Sequence, residues 1–290
     1  MTGANGTEAA TGPWMGGAQA PRVADWGEIA GPAVIFGGPC SNLQATRAVL
    51  AEATRRGAAA ICTGDLAAYC GQPAETAAAV RASGVRVVAG NMEQALAAGG
   101  ADCGCGFDEG AACAAMAGAW FAHADRQVGA EARTWMAGLP DMAVFRHEGR
   151  RWAAIHGAGT AANRFLWATT TEAELAAEWA AVEAAAGPVD AIVSGHSGIG
   201  WLREVAGRLW LNAGAIGLPP NDGDPRVEFA VLDADGPRLE RLGYDHAAAA
   251  AAMRAAGLVQ GYDRCLETGW WPSEDMLPPE LRRAGGEAAA

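Results

Sequence analysis

The chain of 290 residues contains no lysine and has few charged side chains of any kind. Charged residues make up 19% of the sequence, all 21 basic residues are arginine, and the formal net charge is -12. Proteins that bind the phosphate backbone of nucleic acids need clustered positive charge. The composition therefore argues against a general nucleic-acid binder. We interpret the absence of lysine as a compositional bias that carries little information about function.

The sequence also lacks the marks of secretion and of membrane insertion. Residues 1–20 have neither a basic start nor a continuous apolar stretch, so we expect no signal peptide and no membrane span. The seven cysteines are odd in number and too sparse for a small disulfide scaffold. These absences favour a reducing compartment, and we expect a cytoplasmic protein with no membrane attachment.

Most of the chain is predicted to form one domain. Hydrophobic residues make up 51%, which is enough to bury a large core in a chain of this length. Residues 1–30 and 283–290 lack hydrophobic periodicity, and we predict a flexible leader and a flexible tail there. No internal repeat or linker divides the stretch between them, so residues 31–282 are predicted to fold as a single unit.

Five short apolar runs bounded by turn residues predict buried strands, at 33–36, 59–63, 85–89, 152–156 and 191–194. Helical stretches at 43–56 and 73–82 separate the first three runs. This alternation of strand and helix predicts an α/β fold with parallel strands. After residue 194, close-spaced strands at 204–205, 208–211, 227–232 and 239–242 predict a more antiparallel region, which a helix at 245–256 follows.

Polar side chains follow four of the five buried strands directly. They are Asp65, Asn91, His156 and His196. In open α/β sheets, ligands bind beyond the carboxyl ends of the strands, so we expect these four side chains to converge. Carboxylate and amide oxygens suit Mg or Mn, whereas imidazole suits Zn, Fe or Mn. A single histidine at a strand end is more often structural, but the four residues together favour a divalent metal site.

The order of these motifs resembles the calcineurin-like metallophosphoesterases, in particular their small bacterial phosphodiesterase branch, over residues 33–244. The family's blocks are D-x-H-G-N, G-D, G-N-H-D/E, H-G and G-H-T-H, followed by N-x-G-S-x-G. The matching residues here are Gly64-Asp65, Asn91 with Glu93, His156-Gly157, Gly195-His196, and the segment from Asn212 to Gly217.

The resemblance implies a four-layer α/β/β/α sandwich of two mixed sheets flanked by helices. It also implies a metal-dependent phosphoester hydrolase that acts on a small phosphorylated molecule. Asp65, Asn91 and His156 would act in catalysis, and with His196 they would form the shell of one divalent ion, with Mn, Fe or Zn preferred. Asp65 is the position that bridges two metals in the family.

The departures from the family pattern fall on the other metal position. Gly38, Cys40 and Gly198 stand where the family has the Asp and two His ligands of the first metal. Met92 stands where the family has the histidine that protonates the leaving group or stabilises the phosphate charge. We therefore expect the first metal to be lost or re-ligated. Cys40 is a candidate soft ligand there, and its alternative role is to fill a collapsed cavity.

Two further residues are candidates for substrate binding. Asn42 ends the first loop, and Arg164, just after the His156 loop, could pair with a phosphate in a bidentate manner. A surface ion pair is the alternative for Arg164.

Two other functions stay open at this point. The replaced ligands favour a non-hydrolytic ligand-binding or regulatory relative on the same scaffold. The cysteines at 40, 103, 105 and 113 could instead form a soft-metal or redox site. The sequence does not decide whether the chain forms a homo-oligomer.

Overall fold

The computed structural model describes residues 20–107 and 112–283, which form eleven β-strands and eight α-helices. The strands are β1 (Val23–Glu28), β2 (Ala33–Phe36), β3 (Ala59–Cys62), β4 (Arg86–Val87), β5 (Met142–His147), β6 (Arg150–Ile155), β7 (Ala191–Ser194), β8 (Trp201–Val205), β9 (Arg208–Asn212), β10 (Val227–Leu232) and β11 (Arg238–Leu242). The helices are α1 (Leu43–Arg56), α2 (Pro73–Ala82), α3 (Asn91–Ala98), α4 (Ala112–Gln127), α5 (Ala130–Ala137), α6 (Glu172–Ala186), α7 (His246–Ala255) and α8 (Tyr262–Thr268).

The strands form two mixed sheets. The first sheet has the order β11-β10-β2-β3-β4. Strands β2, β3 and β4 are parallel to one another, and β10 runs antiparallel to both of its neighbours, β2 and β11. The second has the order β1-β5-β6-β7-β9-β8, in which β6, β7 and β9 are parallel. Strands β5 and β8 run antiparallel to their neighbours β6 and β9. The predicted α/β fold with two mixed sheets is confirmed.

The sheets pack face to face and helices cover their outer faces. Ile35 and Ile61 of the first sheet share one apolar cluster with Phe145 and Val193 of the second. Because strands such as β2 are buried on both faces, they read as continuous apolar runs and not as alternating ones. On the outer face of the second sheet, Trp179 of α6 packs into a separate cluster.

Local signals explain why the predicted helices form where they do. The side chain of Asn42 caps α1 by accepting a hydrogen bond from the backbone N–H of Ala45 (3.0 Å), and Gly57 ends the helix in the left-handed conformation. Pro73 occupies the first turn of α2, where its missing N–H costs nothing. Both helices have the bounds that the sequence predicts.

The predicted flexible leader was wrong over its last part. Val23–Glu28 forms β1, which pairs in parallel with β5, and Arg22 beside it bonds Asp141. This strand lies at a sheet edge with most of its side chains exposed, so it lacks the apolar run that marks the buried strands. Residues 1–19 of the predicted leader lie outside the described residues.

The predicted tail begins one residue too early. The guanidinium of Arg283 lies 2.8 Å from the carboxylate of Glu274 and 5.0 Å from the ring centroid of Trp270. Both contacts fix Arg283 onto the domain. Residues 284–290 lie outside the described residues.

Strand β5 was not predicted, although it lies inside the second sheet between β1 and β6. It is joined to β6 by a tight hairpin through Glu148 and Gly149, which have positive φ angles of 48° and 73°. Within residues 20–107 and 112–283, no helix is both long enough and apolar enough to cross a membrane.

We predict that Phe145→Ala destabilises the fold by about 3 to 5 kcal/mol, because it empties a large volume between the two sheets. Phe145 is 1% exposed and stacks on Trp152 with ring centroids 6.1 Å apart. Urea denaturation followed by circular dichroism measures the change. The control is Leu202→Ala on β8, whose side chain is 39% exposed and should cost far less. Equal losses in the two variants would contradict this view of the core.

Candidate metal centre

Four polar side chains from loops of the two sheets lie close together. Asp65 follows β3 and Asn91 begins α3 just after β4, so both come from the first sheet. His156 and His196 follow β6 and β7 of the second sheet. The centre thus lies where the carboxyl ends of parallel strands from both sheets meet, as the sequence predicts.

The donor atoms of these residues are close enough to surround one ion. His156 Nε2 lies 3.2 Å from Asp65 Oδ2 and 3.1 Å from Asn91 Oδ1. It also lies 3.0 Å from His196 Nδ1, which is 3.7 Å from Asp65 Oδ2. Ligand atoms bound about 2.1 Å from an ion lie about 3.0 to 3.4 Å from one another at octahedral or tetrahedral angles. The observed spacing fits a single divalent ion.

Hydrogen bonds on the outer side fix which atoms point inward. His156 Nδ1 lies 2.5 Å from the carbonyl oxygen of Thr63, which only accepts, so this nitrogen carries the proton in the neutral ring. Asn91 Nδ2 donates to the carbonyl oxygen of Cys103 (2.9 Å), so the amide oxygen faces the histidines. Nε2 of His156 and Oδ1 of Asn91 therefore present lone pairs to the Asp65 carboxylate. The residues present fit a cation.

The electrostatics of the centre favour a positive charge beside Asp65, which a proton on Nε2 of His156 or a metal ion can supply. Burial raises the pKa of Asp65, but the charge and hydrogen bonding of His156, with His196, outweigh burial and hold this pKa well below its usual range. Burial lowers the pKa of His156, but the Asp65 carboxylate raises it above the ordinary value. The pKa of His196 is lowered, chiefly by burial. Asp65 is thus ionised, and positive charge beside it is favoured.

The backbone at the centre is held in uncommon conformations. Asp65 and His196 have φ angles of +58° and +65°, which side-chain-bearing residues rarely adopt. A Cβ atom added to Gly90 would lie 2.5 Å from Asp65 Oδ1 and 2.8 Å from His156 Cε1. Glycine is therefore required at position 90. Strain of this kind is common where function fixes the geometry of a loop.

Glu93 connects the Asp65 loop to the start of α3 through hydrogen bonds. Its buried carboxylate accepts hydrogen bonds of 2.8 Å from the backbone N–H groups of Asp65, Leu66 and Gly90. Burial, and then the charge of Asp65, raise the pKa of Glu93. The sequence motif includes Glu93, but its positioning role was missed. A Glu three residues after the glycine that precedes a helix is a known capping signal and could have indicated it.

Asn212 holds the His196 loop in a similar way. Its Nδ2 donates to the carbonyl oxygen of Gly195 (2.8 Å) and to Oγ of Ser197 (3.0 Å), and its Oδ1 accepts from the N–H of Gly214 (2.9 Å). The glycine-rich segment that begins at Asn212, the last residue of β9, therefore stabilises the loop that carries His196.

Sulfur and aromatic groups line the first-metal position of the family. A Cβ atom on Gly38 would lie 2.9 Å from Cys40 Sγ, and one on Gly198 would lie 3.1 Å from the indole of Trp271. Met92 is fully buried beside them. Within the described residues, one group of His, Cys, Asp and Glu ligand atoms lies close together, namely Asp65, His156 and His196. Cys40 is not part of it.

Cys40 has the environment of a neutral thiol. Burial, followed by the charge of Asp65, raises its pKa well above the usual value. The thiolate is the form that binds metals, so a metal bound by Cys40 would have to displace the thiol proton. Both the ligand role and the cavity-filling role of Cys40 stay open.

Aromatic side chains line the pocket that opens from the centre. Phe165 stacks on His196 with ring centroids 4.2 Å apart, and Tyr69, Tyr262 and Trp271 form further walls. The inner cavity measures about 30 Å³, room for about one or two water molecules. The sequence did not indicate that Phe165 and Trp271 line this pocket. Phe165 was notable only as the neighbour of Arg164, and Trp271 only as a residue near the end of the chain.

The two predicted substrate-binding residues do not line the pocket. Asn42 uses its amide for the α1 cap and for bonds to the carbonyl oxygen of Gly217 (3.0 Å) and the hydroxyl of Tyr244 (3.2 Å). Arg164 forms ion pairs with Glu178 and, at 3.6 Å, with Glu174. Neither side chain lines the pocket, so these contacts do not support a substrate-binding role, and those of Arg164 agree with its ion-pair alternative.

The four cysteines of the redox hypothesis do not form one cluster. Cys103 and Cys105 form a disulfide, whereas Cys40 and Cys113 are free and buried. Cys105 Sγ lies 3.4 Å from Asn91 Nδ2, so the disulfide supports a ligand residue from behind.

Comparison with known proteins identifies the family. Residues 41–236 match the model of the calcineurin-like phosphoesterase superfamily domain, and the chain belongs to this family. A metallophosphoesterase from Sphaerobacter thermophilus is 25% identical, with a TM-score of 0.61 over 83% of this chain and 99% of that one. A hypothetical protein from Pyrococcus horikoshii OT3 has the same fold at 16% identity, with a TM-score of 0.66 over 82% and 98%. No curated protein matches the chain.

We predict that Glu93→Gln lowers the free energy of unfolding by about 2 to 4 kcal/mol, because its amide group would face backbone N–H groups that need an acceptor. The same change should weaken binding of Mn²⁺ by loosening the Asp65 loop. Urea denaturation and metal titration measure the two effects. Glu131→Gln is the matched control, because Glu131 is 84% exposed and pairs with Arg81 at the surface. Unchanged stability in the Glu93 variant would refute the positioning role.

Proposed function

We propose that the protein is a metal-dependent phosphoester hydrolase that holds one divalent ion with Asp65, Asn91, His156 and His196. The observation that carries the proposal is the convergence of donor atoms from these four residues. Nε2 of His156 lies 3.0 to 3.2 Å from the donor atoms of the other three, and Nδ1 of His196 lies 3.7 Å from Asp65 Oδ2. Membership of the calcineurin-like phosphoesterase family supports the reaction type. Two imidazoles, a carboxylate and an amide oxygen favour Mn, Fe or Zn.

A divalent ion in such a centre supplies a Lewis acid that polarises the phosphoryl group and activates water for attack. The chain's own residues define the geometry around it. The N–H of Met92 lies 3.3 Å from Asp65 Oδ1, which leaves Oδ2 turned towards the histidines. The Thr63 carbonyl fixes the His156 ring. Phe165 and Trp271 exclude bulk water from one side of the pocket.

We predict that His156→Ala abolishes metal binding, because it removes the donor atom that touches the three others. Protein purified with Mn²⁺ should hold about one ion per chain, and the variant should hold close to none. Hydrolysis of bis(4-nitrophenyl) phosphate should fall by more than about 100-fold. Elemental analysis and a colorimetric assay measure the two effects.

His246→Ala provides the control, because it removes an imidazole that contacts Tyr244 and not the metal centre. This imidazole is half-buried, whereas His156 is fully buried. It should keep both the ion and the activity. If the wild-type protein held no ion, or if His156→Ala matched it in metal content, the proposal would be wrong.

A second candidate function is a non-hydrolytic, ligand-binding relative. It is favoured by the position of Trp271 beside Gly198 and by the buried Met92, because Gly198 and Met92 replace a metal ligand and a proton donor of the family. This candidate predicts a tightly bound ion without turnover. Turnover that Asp65→Asn abolishes would exclude it.

A further inference from the structure

The disulfide between Cys103 and Cys105 spans a single residue. A covalent bridge stabilises a fold mainly by restricting the unfolded chain, and a bridge over one residue restricts it little. All seven cysteines lie in the described part of the chain, and the other five are free and buried. The fold therefore does not depend on disulfides elsewhere, and general stability does not explain this one.

Both cysteines contact the amide group of Asn91. Nδ2 of Asn91 donates to the carbonyl oxygen of Cys103 (2.9 Å) and to Sγ of Cys105 (3.4 Å). An amide nitrogen has two protons, so these two contacts use both of them. Nδ2 is thereby held against the disulfide loop, and Oδ1 is held 3.1 Å from Nε2 of His156 in the proposed coordination shell.

The disulfide loop is also tied to the second sheet. Nδ2 of Asn163 donates to the carbonyl oxygen of Gly104, the residue between the two cysteines (2.9 Å). Asn163 lies in the segment that follows His156. Phe165, two residues later in this segment, stacks on His196 with ring centroids 4.2 Å apart. The loop therefore lies between segments that carry or contact Asn91, His156 and His196.

The pocket gives access to one sulfur of the pair. Cys105 is 6% exposed and lines the pocket together with Met92. Building on the proposed function, we infer that Cys103 and Cys105 are a redox-active pair that reacts with small thiols and disulfides. The oxidised pair holds Asn91 in the geometry that binds the ion, so the oxidation state of the pair sets the metal affinity of the centre.

The reaction is thiol–disulfide exchange with a dithiol as the reductant. One thiolate of the dithiol attacks Sγ of Cys105, the S–S bond breaks, and its electron pair leaves on Sγ of Cys103. The N–H of Cys105 donates to Cys103 Sγ (3.3 Å), which stabilises the charge on the leaving sulfur. The second thiol then displaces Cys105. The dithiol becomes a cyclic disulfide, and its two protons pass to the two cysteines.

Opening the disulfide alters the support of Asn91. Two bonded sulfur atoms must separate to van der Waals contact when their bond breaks, and a closely packed interior transmits such a shift to its neighbours. Sγ of Cys105 then has no fixed position beside Nδ2 of Asn91. Groups that orient metal ligands contribute about 10- to 100-fold to metal affinity, so reduction should weaken metal binding by a factor in this range.

The wild-type protein tests the inference without any substitution. Protein oxidised with glutathione disulfide and protein reduced with dithiothreitol, both then freed of reagent under argon, would be titrated with Mn²⁺ by calorimetry. We expect the reduced form to bind at least about tenfold more weakly. Alkylation with iodoacetamide after denaturation, followed by mass spectrometry, should find five labelled cysteines in the oxidised form and seven in the reduced form.

The coupling can also be measured from the side of the disulfide. Coupling between two sites is reciprocal, so bound Mn²⁺ must make the disulfide harder to reduce by the same factor. In buffers with a fixed ratio of reduced to oxidised dithiothreitol, saturating Mn²⁺ should shift the midpoint of reduction towards more reducing ratios. A tenfold coupling corresponds to about 30 mV for this two-electron couple.

A double variant shows whether this pair carries the effect. Cys103→Ser combined with Cys105→Ser mimics the reduced pair and cannot be oxidised to a disulfide. It should bind Mn²⁺ as weakly as the reduced wild type, and dithiothreitol should not change its affinity. Cys265→Ser is the matched control, because Cys265 is free, buried and not part of the pocket lining. This control should keep the wild-type response to dithiothreitol.

Seven labelled cysteines in the oxidised protein would overturn the inference, and so would equal Mn²⁺ affinity of the two forms. Failure of the proposed function gives a different result. In that case the oxidised form binds Mn²⁺ more tightly, as inferred, but neither form hydrolyses bis(4-nitrophenyl) phosphate. If neither form bound Mn²⁺, both the proposed function and the inference would be wrong.

Discussion

The candidate metal centre depends on one constraint, namely that donor atoms of Asp65, Asn91 and His196 are held 3.0 to 3.2 Å from Nε2 of His156. Lone pairs at this distance repel each other unless a proton or a metal ion lies between them, and the atoms would separate if their loops were free. The Thr63 carbonyl, the Glu93 carboxylate and the Asn212 amide prevent that separation by fixing the loops from behind. Much of the buried polar structure near the site serves to keep these atoms together.

The sequence predicted those helices and strands that local sequence patterns determine. Helices α1 and α2 begin and end at strong local signals, and the strands buried on both faces are continuous apolar runs. Asp65, Asn91, His156 and His196 were proposed as ligands because each follows a predicted strand, and the structure brings their side chains together. Edge strand β1 escaped prediction because its side chains are mostly exposed, so burial imposes no apolar pattern on it.

The rest of the site could not be predicted because it depends on contacts between distant residues. Trp271 reaches Gly198 across 73 positions of sequence, and nothing local marks it as part of the pocket. Asn42 and Arg164 show the converse, since suitable side chains near the right loops are engaged elsewhere. Proximity to a motif indicates where a side chain begins, whereas its hydrogen bonds decide where it points.

The origin of the ligands in two separate sheets has a mechanical consequence. Asp65 and Asn91 belong to loops of the first sheet, and His156 and His196 belong to loops of the second. An ion held by all four, as proposed, would be a noncovalent cross-link between layers that are otherwise joined largely by apolar packing. Ion occupancy would then be coupled to the cohesion of the sandwich, and any motion that slides one sheet over the other would also open the coordination shell.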